Sequence, residues 1–242
     1  MPFTPSHAAA VLPLVRTPLP ASALVVGSMA PDLPYYLPWT AGLVTHTALA
    51  VVSTDLVLGA LLWTVWHAVL AAPAVAVAPP GLRARLALVP LGLRGRVSTP
   101  SGVGQVALAL VAGSATHVLW DEFTHARRWG AEHVPALAAV YGPLPGWAWA
   151  QQASGLLGAV VLLAWLVRWW RRAPVDGARR PVAWWPWAVV AGAGALVGGA
   201  AALAAPRLGS AAFQGATWGG FGAGAAALVL ALGWHVGRRR AG

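Results

Sequence analysis

The stretch VGQVALALVAGSATHVLWDEFTH, residues 103–125, joins a long apolar run to a group of ionisable side chains. Residues 103–121 are long enough to cross the hydrocarbon core of a membrane as one helix, which takes about 20 residues. His117, Asp121 and His125 follow at four-residue intervals, although the chain has only seven histidines and six acidic residues. The stretch therefore predicts a membrane helix with polar chemistry at one end.

The composition extends this prediction to the whole chain. Of the 242 residues, 58% are hydrophobic and 9% are charged, which is too apolar for a soluble globular protein. Four further stretches reach the length of a membrane span. They are residues 43–71, 151–168, 184–204 and 217–235. We therefore expect an all-α, multi-pass helical membrane protein with about five long transmembrane helices.

The net charge of +10 fits membrane orientation better than nucleic-acid binding. The basic residues are all arginines, and most of them fall in three segments that share one side of the membrane if each span crosses once. These groups are Arg83 to Arg96, Arg168 to Arg180 and Arg238 to Arg240. Because arginine-rich segments stay in the cytoplasm, we expect a cytoplasmic C-terminus, with residues 32–45 and 122–150 facing outward.

An N-terminal helical hairpin is expected before the first long span. Two apolar arms, 7–15 and 21–30, flank the interruption RTPLP, and each arm covers only about half of the hydrocarbon core. A hairpin would bring His7 and Asp32 to the same depth in the membrane. A single span over residues 8–30 would separate them, but the prolines and the arginine at mid-span favour the hairpin.

The C-terminal third has the sequence of a packing scaffold. Its two spans are rich in glycine and alanine, with small residues four apart such as Gly194 and Gly198, which lets helix backbones approach closely. We therefore divide the chain into a metal-site helical membrane domain, residues 1–170, and a C-terminal transmembrane helix pair with a basic tail, residues 171–242.

Helical geometry places His117, Asp121 and His125 within a stripe of about 80° on one face. The two histidines are about 12 Å apart in rise, too far to share one ion unless the helix breaks. The arrangement that fits is Asp121 bridging two ions, with His117 on one and His125 on the other. In the alternative interpretation, the helix ends at residue 121 and a solvated loop follows.

Three more residues are candidates for the same site. On this topology His46 lies at the outer end of its span and Asp32 lies in the outer loop just before it, and His7 joins them if the hairpin forms. The chain has no cysteine, so a metal must be held by nitrogen and oxygen ligands. We predict a site for one or two divalent metal ions, with zinc as the first candidate. The predicted ligands are His7, Asp32, His46, His117, Asp121 and His125.

Threonines and two further polar residues complete the set of candidates. Three of the histidines follow a threonine, whose hydroxyl could orient the ligand ring by a hydrogen bond. The threonines are Thr45, Thr116 and Thr124. Asp55 and His67 would lie about 13 Å and 31 Å from His46 on an unbroken helix. The cap-forming sequence VVSTDLVLG could instead start a second helix at residue 56. Asp55 is then a site residue, a cap or a buried partner, and His67 is expected at the membrane interface.

Read in order, the motifs resemble those of a known family. MPFTPSHAAA, GSMAPDLPYY, THTAL, STD, THVLWDEFTH and AQQASGLLG are similar in order and spacing to the uncharacterised bacterial membrane proteins called domain of unknown function 4184. The similarity covers residues 1 to about 165. It implies a multi-pass protein of the bacterial plasma (inner) membrane.

More distantly, the motif series resembles the membrane-bound metal-dependent hydrolases of bacterial inner membranes. That family's motif residues would fall on His7, Asp32, His46, His117 and Asp121 of this chain, with His125 as an additional histidine. A remoter similarity is to zinc-dependent phospholipase C, which shares a Pro-Asp loop and His-x-x-x-Asp. Its second motif, His-x-x-x-Glu, has no counterpart after His125.

Three functions are compatible with these residues. A hydrolase would use metal-bound water against an ester or phosphodiester, with Asp55 as the candidate base and a lipid or lipid-linked phosphate as the substrate. A proton- or ion-handling transporter would use the same residues as a path, with Asp55 and His67 as relay stations. A non-catalytic membrane scaffold with a metal site is the third. The lipid bilayer is the expected partner in each case, and nucleic acid is not.

Overall fold

A computed structural model describes residues 4–40, 42–176 and 183–241. The α-helices of this part of the chain are α1 (Ala21–Gly27), α2 (Leu33–Tyr36), α3 (Ala48–Val51), α4 (Thr54–Val65), α5 (Ala71–Ala76), α6 (Pro80–Leu86), α7 (Arg94–Val97), α8 (Pro100–Thr124), α9 (Trp129–His133), α10 (Pro135–Ala138), α11 (Gly146–Arg172), α12 (Trp185–Ala204) and α13 (Leu208–Ala241). Strands β1 (Val140–Tyr141) and β2 (Leu144–Pro145) pair antiparallel.

Shorter turns connect these helices. Four are 3-10 turns, at Thr4–Ala9, Leu12–Arg16, Ala30–Asp32 and Pro38–Thr40, and one is a π turn at Trp66–Leu70. The described residues are thus mostly helical, with two strands of two residues each, which confirms the all-α prediction.

Five helical segments among the described residues are long and apolar enough to cross a membrane. They are Ala48–Ala76, Pro100–His133, Gly146–Arg172, Trp185–Ala204 and Leu208–Arg240. On α12, Leu196 and Leu203 are 75% and 90% exposed, as expected for side chains that contact lipid. Three of the five, from Pro100, Gly146 and Leu208, are longer than the predicted spans at both ends, because a helix continues past the hydrocarbon region that hydropathy detects. The first begins and ends five residues later than predicted, and the fourth begins one residue later.

The described residues form two compact units that alternate along the chain. The first comprises residues up to 34 together with 42–63 and 96–171, and the second comprises 35–41, 64–95 and the residues from 172 onward. The predicted division between residues 170 and 171 stays a prediction.

The N-terminal hairpin is present in the first unit. The Thr4 hydroxyl donates a hydrogen bond to the Asp32 carboxylate at 2.6 Å. The end of the second arm therefore lies beside the start of the first. Its first arm differs from the expected helix, because it consists of two 3-10 turns before α1. Pro5 and Pro13 lie in these turns, and a proline cannot donate the backbone hydrogen bond that an α-helix needs.

Helices α1 and α8 cross at two glycines. A Cβ atom on Gly27 would overlap the carbonyl oxygen of Leu110, and a Cβ atom on Gly113 would overlap that of Leu24. Only the absence of side chains allows the two backbones to come this close. The crossing places the end of α1 beside the middle of α8.

The predicted break after His46 is also present. Helix α3 ends at Val51, and α4 begins at Thr54, two residues earlier than expected. Thr47 caps α3 by accepting a hydrogen bond from the amide of Ala50 at 3.0 Å. His46 precedes this cap in a left-handed conformation, with φ of 60°, so it lies on a loop and not on the helix.

In the second unit, α12 and α13 pack tightly as an antiparallel pair. A Cβ atom on Gly198 would overlap the carbonyl oxygen of Gly215, which explains the small residues of these spans. His67 also belongs to this unit, within the π turn. It is only 6% exposed and is therefore buried in protein. Its position at the depth of the membrane interface stays a prediction.

Candidate metal site

All six predicted ligands come together in the first unit, although they arise from four separate segments. His7 lies in the first 3-10 turn, Asp32 in the turn before α2, and His46 in the loop before α3. His117 and Asp121 lie on α8, and His125 caps its C-terminus. We call these six residues the His/Asp cluster.

Helix α8 does not end at Asp121. It continues to Thr124, and both His117 and Asp121 are buried, at 0% and 3% exposure. The interpretation of a solvated loop from residue 121 is therefore wrong. His125 terminates the helix with an extended backbone, which turns its ring back so that Nδ1 lies 3.2 Å from Asp121 Oδ1.

Four residues of the cluster face one another as neighbouring ligands of one ion would. His46 Nε2 lies 3.2 Å from Asp32 Oδ1 and 3.4 Å from Asp121 Oδ2. His117 Nε2 lies 3.5 Å from Asp32 Oδ1 and 3.3 Å from Asp121 Oδ2. Two ligands of a tetrahedral zinc ion, each bonded at 2.0–2.1 Å, are about 3.3 Å apart. We call these residues the four-ligand group.

The other oxygen of Asp121 faces a second set of nitrogens. Asp121 Oδ1 lies 3.2 Å from His125 Nδ1 and 3.7 Å from His7 Nε2. We call His7, Asp121 and His125 the three-ligand group. The two oxygens of Asp121 thus face different histidines, as those of a carboxylate bridging two ions would.

Several buried atoms of the cluster make no hydrogen bond to the described residues. They are both ring nitrogens of His7, Nε2 of His117 and Oδ1 of Asp121. A buried polar atom without a partner costs about 1–3 kcal/mol, so native structures rarely leave several of them together. Cations in the cluster would give a partner to Nε2 of His7, Nε2 of His117 and Oδ1 of Asp121.

The ring of His117 is oriented by a backbone carbonyl. Its Nδ1 lies 2.7 Å from the carbonyl oxygen of Ser28, and because a carbonyl can only accept, Nδ1 carries the proton. In the neutral ring, Nε2 then has the lone pair that a metal needs. The close crossing of α1 and α8 brings Ser28 within reach.

Hydroxyl groups support two other members of the cluster. His46 Nδ1 lies 2.9 Å from the Thr45 hydroxyl, and the bond from Thr4 to Asp32 Oδ2 leaves Oδ1 facing the histidines. Of the predicted supporting threonines, Thr45 and Thr124 lie within hydrogen-bond distance of the histidines that follow them. Thr116 instead donates to the carbonyl of Gly113 within α8.

For His7 and Asp32, the local environment favours the protonation states that bind metals. Burial, and next the neighbouring His117, lower the pKa of His7 to about 4, so the ring is neutral near pH 7. Burial alone would raise the pKa of Asp32, but the adjacent ring of His117 and the hydrogen bond with His46 hold it well below its usual range. Asp32 is therefore a carboxylate and His7 a neutral imidazole, as metal coordination requires.

His7 is fixed by ring contacts and by a glycine of α11. Its ring stacks on that of His117, with centroids 3.8 Å apart and planes inclined by 19°, and meets Trp120 edge-on at 5.7 Å. A Cβ atom on Gly158 would press against the backbone of Ser6, so this glycine admits the turn that carries His7. The motif AQQASGLLG thereby contributes to the cluster without supplying a ligand.

Arg128 is a further residue of the site that sequence reasoning missed. Its Nη1 donates to the carbonyl oxygen of His46 at 2.8 Å and lies 3.5 Å from Glu122 Oε1. The contact connects the segment after α8 to the His46 loop. Neither spacing nor composition indicated it, because the two residues are 82 positions apart.

Asp55 lies beside the cluster as a buried partner of α8. It is 1% exposed, and its Oδ2 accepts a hydrogen bond from Ser114 at 3.1 Å. Ser114 precedes His117 by three residues, about one helical turn. The role of Asp55 as a base stays a prediction.

These features define a class of protein: an all-α chain with membrane-length helices and a buried His/Asp cluster that could hold a metal ion. The chain belongs to the family described as domain of unknown function (DUF4184), whose profile matches residues 1–232. The match extends beyond the motifs and includes most of the C-terminal helix pair. No curated protein and no solved structure matches the chain.

Proposed function

We propose that the His/Asp cluster binds a divalent metal ion, with zinc as the first candidate, and that the protein is a membrane-embedded metal-dependent hydrolase. One observation carries this proposal: buried histidine and carboxylate side chains from three separate segments converge at separations of 3.2–3.5 Å. An ordinary charge-assisted hydrogen bond is shorter, about 2.7–2.9 Å, so these distances suit a shared ion better than direct pairs.

The chemistry of such a site is hydrolysis. A bound zinc ion lowers the pKa of its water to about 7, which supplies hydroxide at neutral pH. The hydroxide would attack the carbonyl carbon or phosphorus of an ester, the bond to the leaving oxygen would break, and that oxygen would take a proton. Asp55 is the candidate base, and it would transfer protons by way of an intervening water molecule. Its carboxylate accepts a hydrogen bond from Ser114, one helical turn before His117 on α8.

The position of the cluster along α8 supports a substrate from the membrane surface. His117 is 17 residues from Pro100, or about 25 Å along the helix. On the predicted topology, α8 begins at the arginine-rich cytoplasmic side, so the cluster lies near the outer headgroups of the bacterial plasma membrane. A lipid or lipid-linked phosphate is therefore the proposed substrate class.

The metal content of the purified full-length protein tests this proposal. In detergent, the wild-type chain should contain stoichiometric zinc by elemental analysis, and His117→Ala should contain less. His133→Ala is the matched control, because His133 is an exposed histidine that bonds only to the Trp129 carbonyl of its own helix. Folded wild-type protein without metal that carries a proton-coupled flux in vesicles would favour the transporter instead.

Hydrolysis is tested separately on phospholipid vesicles. Zinc-loaded protein should release the products of ester or phosphodiester cleavage from phosphatidylglycerol vesicles, and Asp121→Ala should release none. Zinc-loaded protein that cleaves neither these lipids nor a lipid-linked diphosphate would contradict the hydrolase and leave a metal-binding scaffold.

A further inference from the structure

We propose that the cluster contains two unlike metal positions that share Asp121, a closed position in the four-ligand group and an open one in the three-ligand group. The inference rests on the metal binding proposed above but not on hydrolysis. It assigns the substrate to the open position and favours an anionic substrate.

The four-ligand group has the properties of a closed position. Its side chains are all nearly inaccessible, since the exposures of His117 and His46 are 0% and 7%, and those of Asp121 and Asp32 are 5% and 6%. Four protein ligands complete the coordination of a tetrahedral zinc ion, which is the pattern of structural sites. A metal here would have no place for water.

The three-ligand group has the properties of an open position. It supplies three protein ligands, which is the pattern of catalytic zinc sites with water in the fourth place. The His125 side chain is 25% exposed, whereas its partners are buried, so solvent reaches the cluster on this side. Water and substrate would therefore bind the ion that His125 holds.

The stacked rings of His7 and His117 argue against one shared ion. A metal bonds to imidazole in the plane of the ring, along the nitrogen lone pair. Because the two planes are nearly parallel and their centroids are 3.8 Å apart, one ion cannot lie in both planes. Two ions about 3.5–4 Å apart match the stacking distance and the bridge through Asp121.

The charge of a doubly loaded cluster indicates the class of ligand. Two divalent ions bring a charge of about +4, and the carboxylates of Asp32 and Asp121 offset about half of it. The remaining positive charge is buried in protein, where an unpaired charge is costly. An anionic substrate at the open position would offset this charge further than bound hydroxide alone, which favours a phosphate ester over a neutral carboxylic ester.

Metal titration of the full-length protein in detergent tests this inference. Metal-free wild-type protein should bind two equivalents of cobalt(II), used as a spectroscopic substitute for zinc, with one bound more tightly than the other. His125→Ala should bind only the tighter equivalent, because the closed position remains. His46→Ala should lose the tighter equivalent, and His133→Ala should bind both as the wild type does.

Inorganic phosphate provides a second readout that does not depend on activity. Added phosphate should change the cobalt absorption spectrum of the wild-type protein and of His133→Ala, but not that of His125→Ala. His125→Gln, which retains a polar side chain of similar size, should behave as His125→Ala does if folding is unaffected. Size-exclusion chromatography of each variant verifies that it remains folded.

The outcomes separate this inference from the proposed function. One cobalt equivalent in the wild-type protein, or the loss of the same equivalent in His125→Ala and His46→Ala, would overturn the two positions. Hydrolysis by protein with one equivalent would then still support the proposed function. Two equivalents in protein that cleaves no phosphate ester would support the inference and contradict the hydrolase, while protein without any metal would contradict both.

Discussion

At the scale of single residues, His117 shows how the cluster is prepared for a cation. The carbonyl of Ser28 fixes the proton on Nδ1, and Nε2 faces the carboxylates of Asp32 and Asp121. Neither oxygen is close enough for a short hydrogen bond. The ring is thus oriented before any ion arrives, which reduces the entropic cost of binding.

Asp55 is the residue whose substitution separates catalysis from metal binding. We expect Asp55→Asn to retain the wild-type zinc content, since Ser114 can still donate to the amide oxygen, and to lower kcat about a hundredfold. Elemental analysis and vesicle hydrolysis on the same sample measure the two effects. Unchanged kcat would exclude Asp55 as the base.

Arg128 is expected to act by positioning His46. Arg128→Gln should weaken zinc binding about tenfold, as loss of a supporting contact around a metal ligand does, because the carbonyl of His46 loses its donor. Competition with a chelator of known affinity measures the change. The neighbouring exposed Arg127 supplies the control, and equal zinc affinities for Arg127→Gln and Arg128→Gln would exclude this role.

At the scale of secondary-structure elements, α8 carries the largest share of the site. Its 25 residues make a helix of about 37 Å, longer than the hydrocarbon core of about 30 Å. The extra length allows the turns with His117 and Asp121 to lie toward one end of the span. The crossing with α1 brings the carbonyl of Ser28 to the ring of His117. Asp32 follows Ser28 by four residues and so lies near the same turns of α8.

The crossing of α1 and α8 is therefore expected to control both stability and metal binding. Gly113→Ala should destabilise the protein by about 1–3 kcal/mol, because the new methyl group meets the carbonyl of Leu24, and should also lower the zinc content. Gly104→Ala is the control on the same helix, since its Cβ would meet nothing within 4 Å. Unfolding by denaturant in mixed detergent compares them, and equal stability of the two variants would contradict the crossing.

At the scale of the whole molecule, the candidate ligands all belong to the first compact unit. The tightly packed pair α12 and α13 belongs to the second, and the predicted role of a scaffold fits its glycine contacts. The family match covers most of both units.

The orientation in the membrane is a prediction at this scale. Because the chain has no cysteine, Glu132→Cys and Arg240→Cys each introduce a single reactive thiol on an exposed residue. In intact cells, a membrane-impermeant maleimide should label Glu132→Cys and leave Arg240→Cys unlabelled until the cells are opened. The reverse pattern would place the cluster on the cytoplasmic side.

Much of the fold could be predicted because its causes are local. Hydropathy and span length identified the five long helices, and the short proline-flanked arms identified the hairpin. The break before α4 followed from the cap-forming residues at 53–55. The six members of the cluster were found because ionisable residues are scarce in so apolar a chain, where each one needs a reason.

The sequence by itself determined the class of fold, the spans and the candidate ligands, since these depend on residue type and spacing along one segment. Tertiary structure decided which Asp121 oxygen faces which histidine, how Ser28 and Arg128 support the rings, and that His67 is buried. These contacts join segments tens of residues apart. They depend on how closely two backbones approach, and that distance is set by packing at glycines such as Gly113, which no periodicity encodes.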